Sequence, residues 1–178
     1  MTMYHVPSSV MSGLRFAIGA MLLPLFLAAP TAARAEARVG EKFGDWTFEC
    51  QAIADGKTDC ALTQILVNKQ TNQPVLKFML TRGKKADDVE LKALIPLGID
   101  IQAGVSGSID EKPTLKFVLE TCVQPGCLAS VKVKGALLDS MKAGKALNIS
   151  FTQKSSGNKL AFSGSLKGLS DGVAAAGY

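Results

Sequence analysis

Between residues 36 and 178 the chain is built of short runs in which apolar and polar residues alternate, separated by turn dipeptides. Asp45–Ala52 (DWTFECQA) sets Trp46, Phe48 and Cys50 on one face and Thr47 and Glu49 on the other, the pattern of a half-buried strand. Asp59–Val67 is its hairpin partner across the Asp55-Gly56 turn. Pro74–Arg82 collects Leu76, Phe78 and Leu80 on one face, and Val89–Ile95 is a further strand. Pro96, Gly98 and Gly104 then punctuate an extended segment in which proline marks an edge or a bend. Gly104–Ser108 (GVSGS) reads as a loop. Thr114–Thr121 and Cys127–Lys134 form a second hairpin, with Val131 and Val133 inward and Lys132 and Lys134 outward. Ala136–Ala143 has helical spacing at Leu137, Leu138 and Met141 and a stop at Gly144. Ala146–Gln153 and Lys159–Leu166 flank Ser155-Ser156-Gly157-Asn158, a strong hairpin signal, and the tail from Lys167 is a short helix or a frayed end.

About eight or nine short strands at regular spacing, with one or two short helices, predict an all-β fold. Its form is a single antiparallel domain over residues 36–178, a sandwich or a partly open barrel. No repeat, linker or change of composition divides that span.

The first 35 residues break this pattern. Phe16–Ala29 carries no charge, Arg15 precedes it, and Ala33-Arg34-Ala35 places small residues where a signal peptidase needs them. Residues 1–35 are therefore expected to be a signal peptide cut between Ala35 and Glu36. The competing reading is a retained anchor, since residues 16–33 are uncharged, but Pro24, Pro30 and Thr31 interrupt them. Met11 opens a more compact leader and competes with Met1 as the start. No Cys precedes Cys50, so a lipoprotein acceptor is missing. Export to the periplasm, the cell surface or the medium follows, with no membrane span after cleavage. Processing removes Arg15 and Arg34 and no acid, so the net charge falls from +5 to +3. It also removes His5, the only His, which excludes Ser-His-Asp triads, Cys-His pairs and His-ligated metals from the mature chain.

Four cysteines in an exported chain read first as disulfides, with three connectivities open. Turn dipeptides between near neighbours favour Cys50–Cys60 and Cys122–Cys127, each stabilising by about 2–3 kcal/mol on the chain-entropy model. A four-thiolate zinc site competes, although its spacings are usually shorter. A redox pair is weaker still, because no Cys-x-x-Cys occurs.

The remaining chemistry is sparse. Trp46, the single Trp, is expected in the core over a disulfide. Lys77, Arg82, Lys116, Lys132 and Lys134 lie on strands and are candidates for a basic, partner-binding face toward anionic glycans or proteins. The plainer reading is a solvated sheet face. Asp87-Asp88 and Asp110-Glu111 read as solubilising loop acids rather than a sugar-cleaving pair. No phosphate loop, nucleophile elbow or aromatic platform for nucleic acid is present in the sequence. No catalytic residue, cofactor or metal is expected.

Three segments nonetheless form an ordered set: Gly44-Asp45-Trp46-Thr47-Phe48-Glu49-Cys50, Ile95-Pro96-Leu97-Gly98-Ile99-Asp100 with Ala103-Gly104-Val105, and Phe117 through Cys122 to Gly126-Cys127-Leu128-Ala129. With the closing Ser165-Leu166-Lys167-Gly168-Leu169, they resemble the invasion-associated locus B family over nearly all of residues 36–178. Leu169 stands where an aromatic is more usual. The resemblance implies an exported α-proteobacterial protein, periplasmic or surface-associated, whose founding relatives are linked to entry into host cells. It supplies no catalytic residues, and relatives in free-living species make invasion itself an unsuitable common activity.

The expected function is thus non-enzymatic recognition of an envelope or host-surface protein or an anionic glycan. A His-free periplasmic enzyme and a carrier of a small ligand or lipid are the alternatives. Intact mass of the exported protein tests the processing step: a chain beginning at Glu36 is expected, and one retaining residues 16–35 contradicts it.

Overall fold

The computed structural model describes residues 36–83 and 88–178. The expected leader, residues 1–35 with Ala35 at its end, lies outside the described residues, as does Asp87 of the first acid pair.

Ten antiparallel strands follow one another across the sheet: β1 (Lys42–Phe43), β2 (Trp46–Ala52), β3 (Thr58–Val67), β4 (Pro74–Arg82) and β5 (Val89–Ile95), then β6 (Val105–Ile109), β7 (Lys112–Val123), β8 (Gly126–Val133), β9 (Ala146–Thr152) and β10 (Lys159–Ser165). The spatial order is β1-β2-β3-β4-β5-β8-β7-β6-β9-β10. Two α-helices, α1 (Ala136–Ala143) and α2 (Leu169–Ala176), and a 3-10 turn at Ala54–Gly56 complete the fold among the described residues. The all-β expectation holds, with two strands more than the sequence pattern resolved. One is the two-residue β1. The other is β6, which corrects the reading of Gly104–Ser108 as a loop: Val105 and Ile109 are buried, and the strand is paired on both sides, to β7 and β9. Gly107 is needed there because a Cβ would stand 2.7 Å from the Asn148 carbonyl and 3.0 Å from the Phe117 ring.

Strand β7 turns the sheet. Its first half pairs with β6 and its second with β8, and bulges at Gly107/Ser108 and Leu119/Thr121 bend the ladder on either side. The inward positions of both halves then share one core, including Trp46, Leu62, Phe78, Leu80, Leu91, Ile149 and Phe151. The structure bonds Cys50 to Cys60 and Cys122 to Cys127, each pair directly opposite in its hairpin with Cα atoms 4.0 Å apart. Gly144 ends α1 with φ −74°, so it is no left-handed cap. Its role is close packing, since a Cβ would sit 2.7 Å from Ile109 and 2.9 Å from Leu166.

No backbone ladder joins the two ends of this sheet. One backbone bond crosses, from the Asp45 N–H to the Lys167 carbonyl at 3.1 Å, and side chains make the other contacts. Gln64 occupies an inward position on β3 between Leu62 and Leu66 and is buried. Its Nε2 donates to the Ser165 carbonyl at 2.9 Å and to the Asp45 carbonyl at 3.2 Å, while its Oε1 accepts from the Ser165 N–H at 2.9 Å. The Trp46 indole N–H donates to the same Ser165 carbonyl at 2.9 Å. Beside this seam the chain crosses itself at two glycines in left-handed conformations. A Cβ on Gly44 would lie 2.5 Å from the Lys167 carbonyl, and one on Gly168 would strike the Phe43 carbonyl.

Helix α2 covers the seam and the chain end locks over it. Arg82 donates to the Ala176 and Gly177 carbonyls, at 3.3 and 2.9 Å, and stacks on the Tyr178 ring. The Tyr178 hydroxyl donates to the Cys60 carbonyl at 2.9 Å. Burial pushes this phenol up to about 12 against the pull of Arg82, so it stays a donor through the physiological range.

Removing the seam amide tests its weight. Gln64→Ala leaves the Ser165 peptide short of partners in a buried site, and a loss of about 2–4 kcal/mol is expected in denaturant unfolding. A loss under about 0.5 kcal/mol, the size of an ordinary surface change, contradicts the role assigned to Gln64.

Candidate functional site

The β6, β7, β9 and β10 half of the sheet turns a polar face outward, and the register explains its composition. With Val105, Leu115, Leu147, Ile149 and Phe151 committed to the core, the alternate positions carry Lys116, Ser106, Ser150 and Ala161 in one row across the four strands. Ser108 and Asn148 pair in the next row. These short side chains leave an open groove of about 750 Å³ lined by Ser106, Ser108, Lys116, Asn148, Ser150 and Lys159, with Gly107, Leu115, Ile149 and Ala161 giving it a largely apolar floor.

The groove is internally ordered. Ser106 and Ser150 share a hydroxyl contact of 3.0 Å, and the Asn148 amide donates to the Ser108 hydroxyl at 3.2 Å and to the Asp110 carbonyl at 2.8 Å. Lys116 and Lys159 frame it without an ion pair among the described residues, and no carboxylate lines it. Such a surface offers hydroxyl and amide hydrogen bonding with positive charge at its margins. It has no general base, and no group of three or more metal-ligating side chains occurs among the described residues.

The other lysines singled out by the sequence are held differently. Lys77 pairs with Glu49 at 2.9 Å, and Lys134 pairs with Asp88. Lys132 stands opposite Glu90 in register and lines a hollow of about 380 Å³ with Asp88, Glu90, Lys92 and Glu120. Glu90 contacts Lys92 at 3.5 Å, and Glu120 accepts from the Ser130 hydroxyl at 2.5 Å. Arg82 is spent on the chain end. The expected basic face therefore does not form as one surface: Lys77, Lys132 and Lys134 are interleaved with acids, and only Lys116 of the candidates sits in cationic surroundings. Sequence reasoning missed Lys159, although the alternation of β10 marks it as outward, and missed Gln64, whose signal was a polar residue at an inward position.

Asp110, read as a solubilising acid, is structural. It sits at φ 53° in the β6–β7 turn, and its Oδ1 accepts from the Lys145 and Ala146 N–H groups at 3.0 and 2.9 Å. Those two backbone bonds hold its carboxyl below the ordinary carboxylate value. The start of β9, and so the Asn148 corner of the groove, is tied down by this group.

Comparison with known proteins agrees with the architecture. The model of the Invasion associated locus B (IalB) protein family matches residues 46–177. An invasion protein B homolog of Brucella abortus (strain 2308) is 35% identical over 130 residues, covering 72% of this chain and 73% of that relative. Invasion protein B of Bartonella bacilliformis is 29% identical over 113 residues, 63% of this chain and 59% of its own length. The crystal structure of invasion associated protein B from Bartonella henselae aligns with a TM-score of 0.66 at 26% identity, covering 76% of this chain and 92% of that one.

Acid titration tests the Asp110 assignment. A carboxyl with a depressed folded pKa lends stability above its unfolded value and loses it as pH falls through the folded one. Asp110→Asn is expected to lower the denaturant midpoint at neutral pH, with the two proteins converging as the solution is acidified. A constant offset down to the acid limit contradicts an electrostatic role.

Proposed function

Because the chain belongs to the invasion associated locus B family, we propose that it is an exported, non-enzymatic recognition protein of the envelope or cell surface that binds an anionic glycan in the β6–β10 groove. One observation carries the reading: Lys116 and Lys159 frame a concavity that sets the Ser106, Ser108 and Ser150 hydroxyls beside a mainly apolar lining and contains no carboxylate. A sugar presents many hydroxyls at the spacing of a hydrogen-bonding sheet face, and serine and asparagine can donate to or accept from them. Acidic groups on such a chain meet the two lysines without a competing internal ion pair. The groove's openness suits a long polymer lying across the strands, whereas a lipid carrier needs an enclosed apolar cavity.

Recognition of this kind is salt-dependent, because exposed charges separated by more than about 8–10 Å are screened at physiological ionic strength. The relatives are named for invasion, and binding a polyanion on an envelope or host surface is a physical step that an invasion-associated protein and a free-living relative can share.

Retention on an immobilised sulfated polysaccharide measures this. Lys116→Glu with Lys159→Glu is expected to weaken low-salt binding about tenfold, equivalent to roughly 1.4 kcal/mol, with the difference shrinking toward 1 M salt. Lys132→Glu with Lys134→Glu is expected to leave retention unchanged. Equal binding by the groove variant and the unaltered protein at low salt removes the groove reading, and loss confined to the second pair moves the contact to the opposite half of the sheet.

A further inference from the structure

Strand β10 is the last in the sheet and pairs only with β9, in unbroken register from Lys159↔Thr152 to Ser165↔Ala146. In an antiparallel ladder the backbone groups of successive residues point alternately to the two sides. The neighbouring bonds fix the phase: the Leu166 N–H donates to the Lys145 carbonyl at 2.9 Å, and the Gln153 N–H to the Asn158 carbonyl at 2.8 Å. Even-numbered positions therefore face β9. Odd-numbered ones face away, and Ser165 displays what they can do, since both its N–H and its carbonyl are taken by the Gln64 amide. Lys159, Ala161 and Ser163 have the same orientation, and their backbone groups have no partner on that side among the described residues.

Gln64 thus fills one rung of a ladder whose next three rungs are open. Alongside them lies a hollow of about 640 Å³ between β10 and the end of the β3–β4 hairpin, lined by Ile65, Leu66, Val67, Val75, Phe162 and Lys69 among others. Ile65 and Val67 are 49% and 46% exposed there. The opposite edge offers no such template, because β1 is two residues long. Short strands, prolines, bulges and edge lysines are how edges are ordinarily blunted, and of these β10 has only Lys159, at its first position.

We propose that β10 accepts an additional strand, an extended segment of a partner protein with apolar side chains at alternate positions and acidic residues beside them. Alternation follows from the ladder: with the backbone aligned on Lys159 to Ser163, every second side chain turns toward the Leu66–Val75–Phe162 hollow. The acidic character follows from charge, since Lys69 lines the hollow, Lys159 stands at the far end of the edge, and no carboxylate lines the hollow. A second copy of this chain fits less well. Centred on Ala161, its β10 would bring the turn that follows Thr152 opposite Ser165, where the Gln64 side chain already sits. A segment free to end or turn away at the seam avoids that conflict. This inference does not rest on the glycan reading: the two share Lys159 and Ala161, but the Leu66–Val75–Phe162 hollow lies outside the groove.

The probe is a capped heptapeptide, Asp-Val-Thr-Val-Thr-Val-Asp, titrated into the isotope-labelled full chain and followed by amide NMR. The expected result is slowed hydrogen exchange at Ala161 and Ser163 together with shifts at Ile65, Val67 and Phe162. N-methylating the peptide at alternate residues removes the donors that meet the edge and is expected to weaken binding about tenfold in one of the two phases, the loss of roughly two hydrogen bonds. Ala161→Pro removes one outward N–H and should weaken binding similarly, while the β9 ladder keeps its bonds. Should that variant misfold, the N-methyl pair decides on the unaltered protein. Absence of binding, equal affinity in both N-methyl phases, or shifts centred on Lys116 overturns the proposal. Protection of Ala161 and Ser163 that rises with protein concentration without peptide overturns it too, in favour of self-association.

Discussion

The contact between the Gln64 side chain and the Ser165 peptide decides what this sheet can be. An antiparallel sheet of ten strands either pairs its edges or leaves them apart, and here the edges are too unequal to pair. A primary amide carries the same donor and acceptor as a peptide group, so Gln64 continues the ladder for one rung where no neighbouring strand exists. The Trp46 indole adds a second donor to the same carbonyl. The disulfides cannot substitute for this closure. They join residues 10 and 5 apart and secure the two hairpins, whereas the Gln64–Ser165 bonds span 101 residues. In a low-dielectric interior an amide with three partners rigidifies, and the same amide left unpaired is costly, so the seam selects one arrangement of the ends.

The two outer features follow from that closure. Because the contacts that draw the sheet shut, the Gln64 and Trp46 side chains on Ser165 and the Asp45 N–H on the Lys167 carbonyl, all lie at or beyond the end of β10, the rest of that strand stays an open edge beside the β3–β4 hairpin. Because β7 serves both halves, the outward rows of β6, β7, β9 and β10 form a surface separate from that of β2 to β5. The first of these carries small polar residues and two lysines, Lys116 and Lys159, that have no ion pair among the described residues. The second carries alternating charges in ion pairs, each worth about 0–1 kcal/mol when exposed. Segments quoted for the family resemblance also meet here: Gly44-Asp45-Trp46 and Ser165-Leu166-Lys167-Gly168 lie on the two sides of the seam, with the glycines permitting the backbone crossing.

The parts of this fold that could be read from the sequence are those set by local rules. Trp46–Cys50 and Val131–Val133 alternate cleanly, and the Asp55-Gly56 and Pro125-Gly126 turns place each pair of cysteines face to face. Strand β6 escaped because Gly and Ser are poor strand formers and its ordering comes from β7 and β9, which are distant in sequence. Gly144 is legible as the stop of α1, but its requirement, room for Ile109 and Leu166, is set by residues distant in sequence. Gln64 violated the inward pattern of β3, and such a violation marks a polar group with a long-range partner that no local rule can name. The lysines illustrate the same limit. Alternation told that Lys132 and Lys134 face outward, but only strand order reveals Glu90 and Asp88 beside them and leaves Lys116 with Lys159.

Native-state hydrogen exchange of three amides on one strand measures the seam and the edge together. The Ser165 N–H, bonded to Gln64, is expected to exchange only through opening of the seam and so to be strongly protected. The Ala161 and Ser163 N–H groups, with the same outward orientation and no partner among the described residues, are expected to exchange close to the rate of an unstructured chain. Rapid exchange at Ser165, or protection of all three alike in the isolated protein, would contradict a closure in which the Gln64 amide holds the Ser165 peptide.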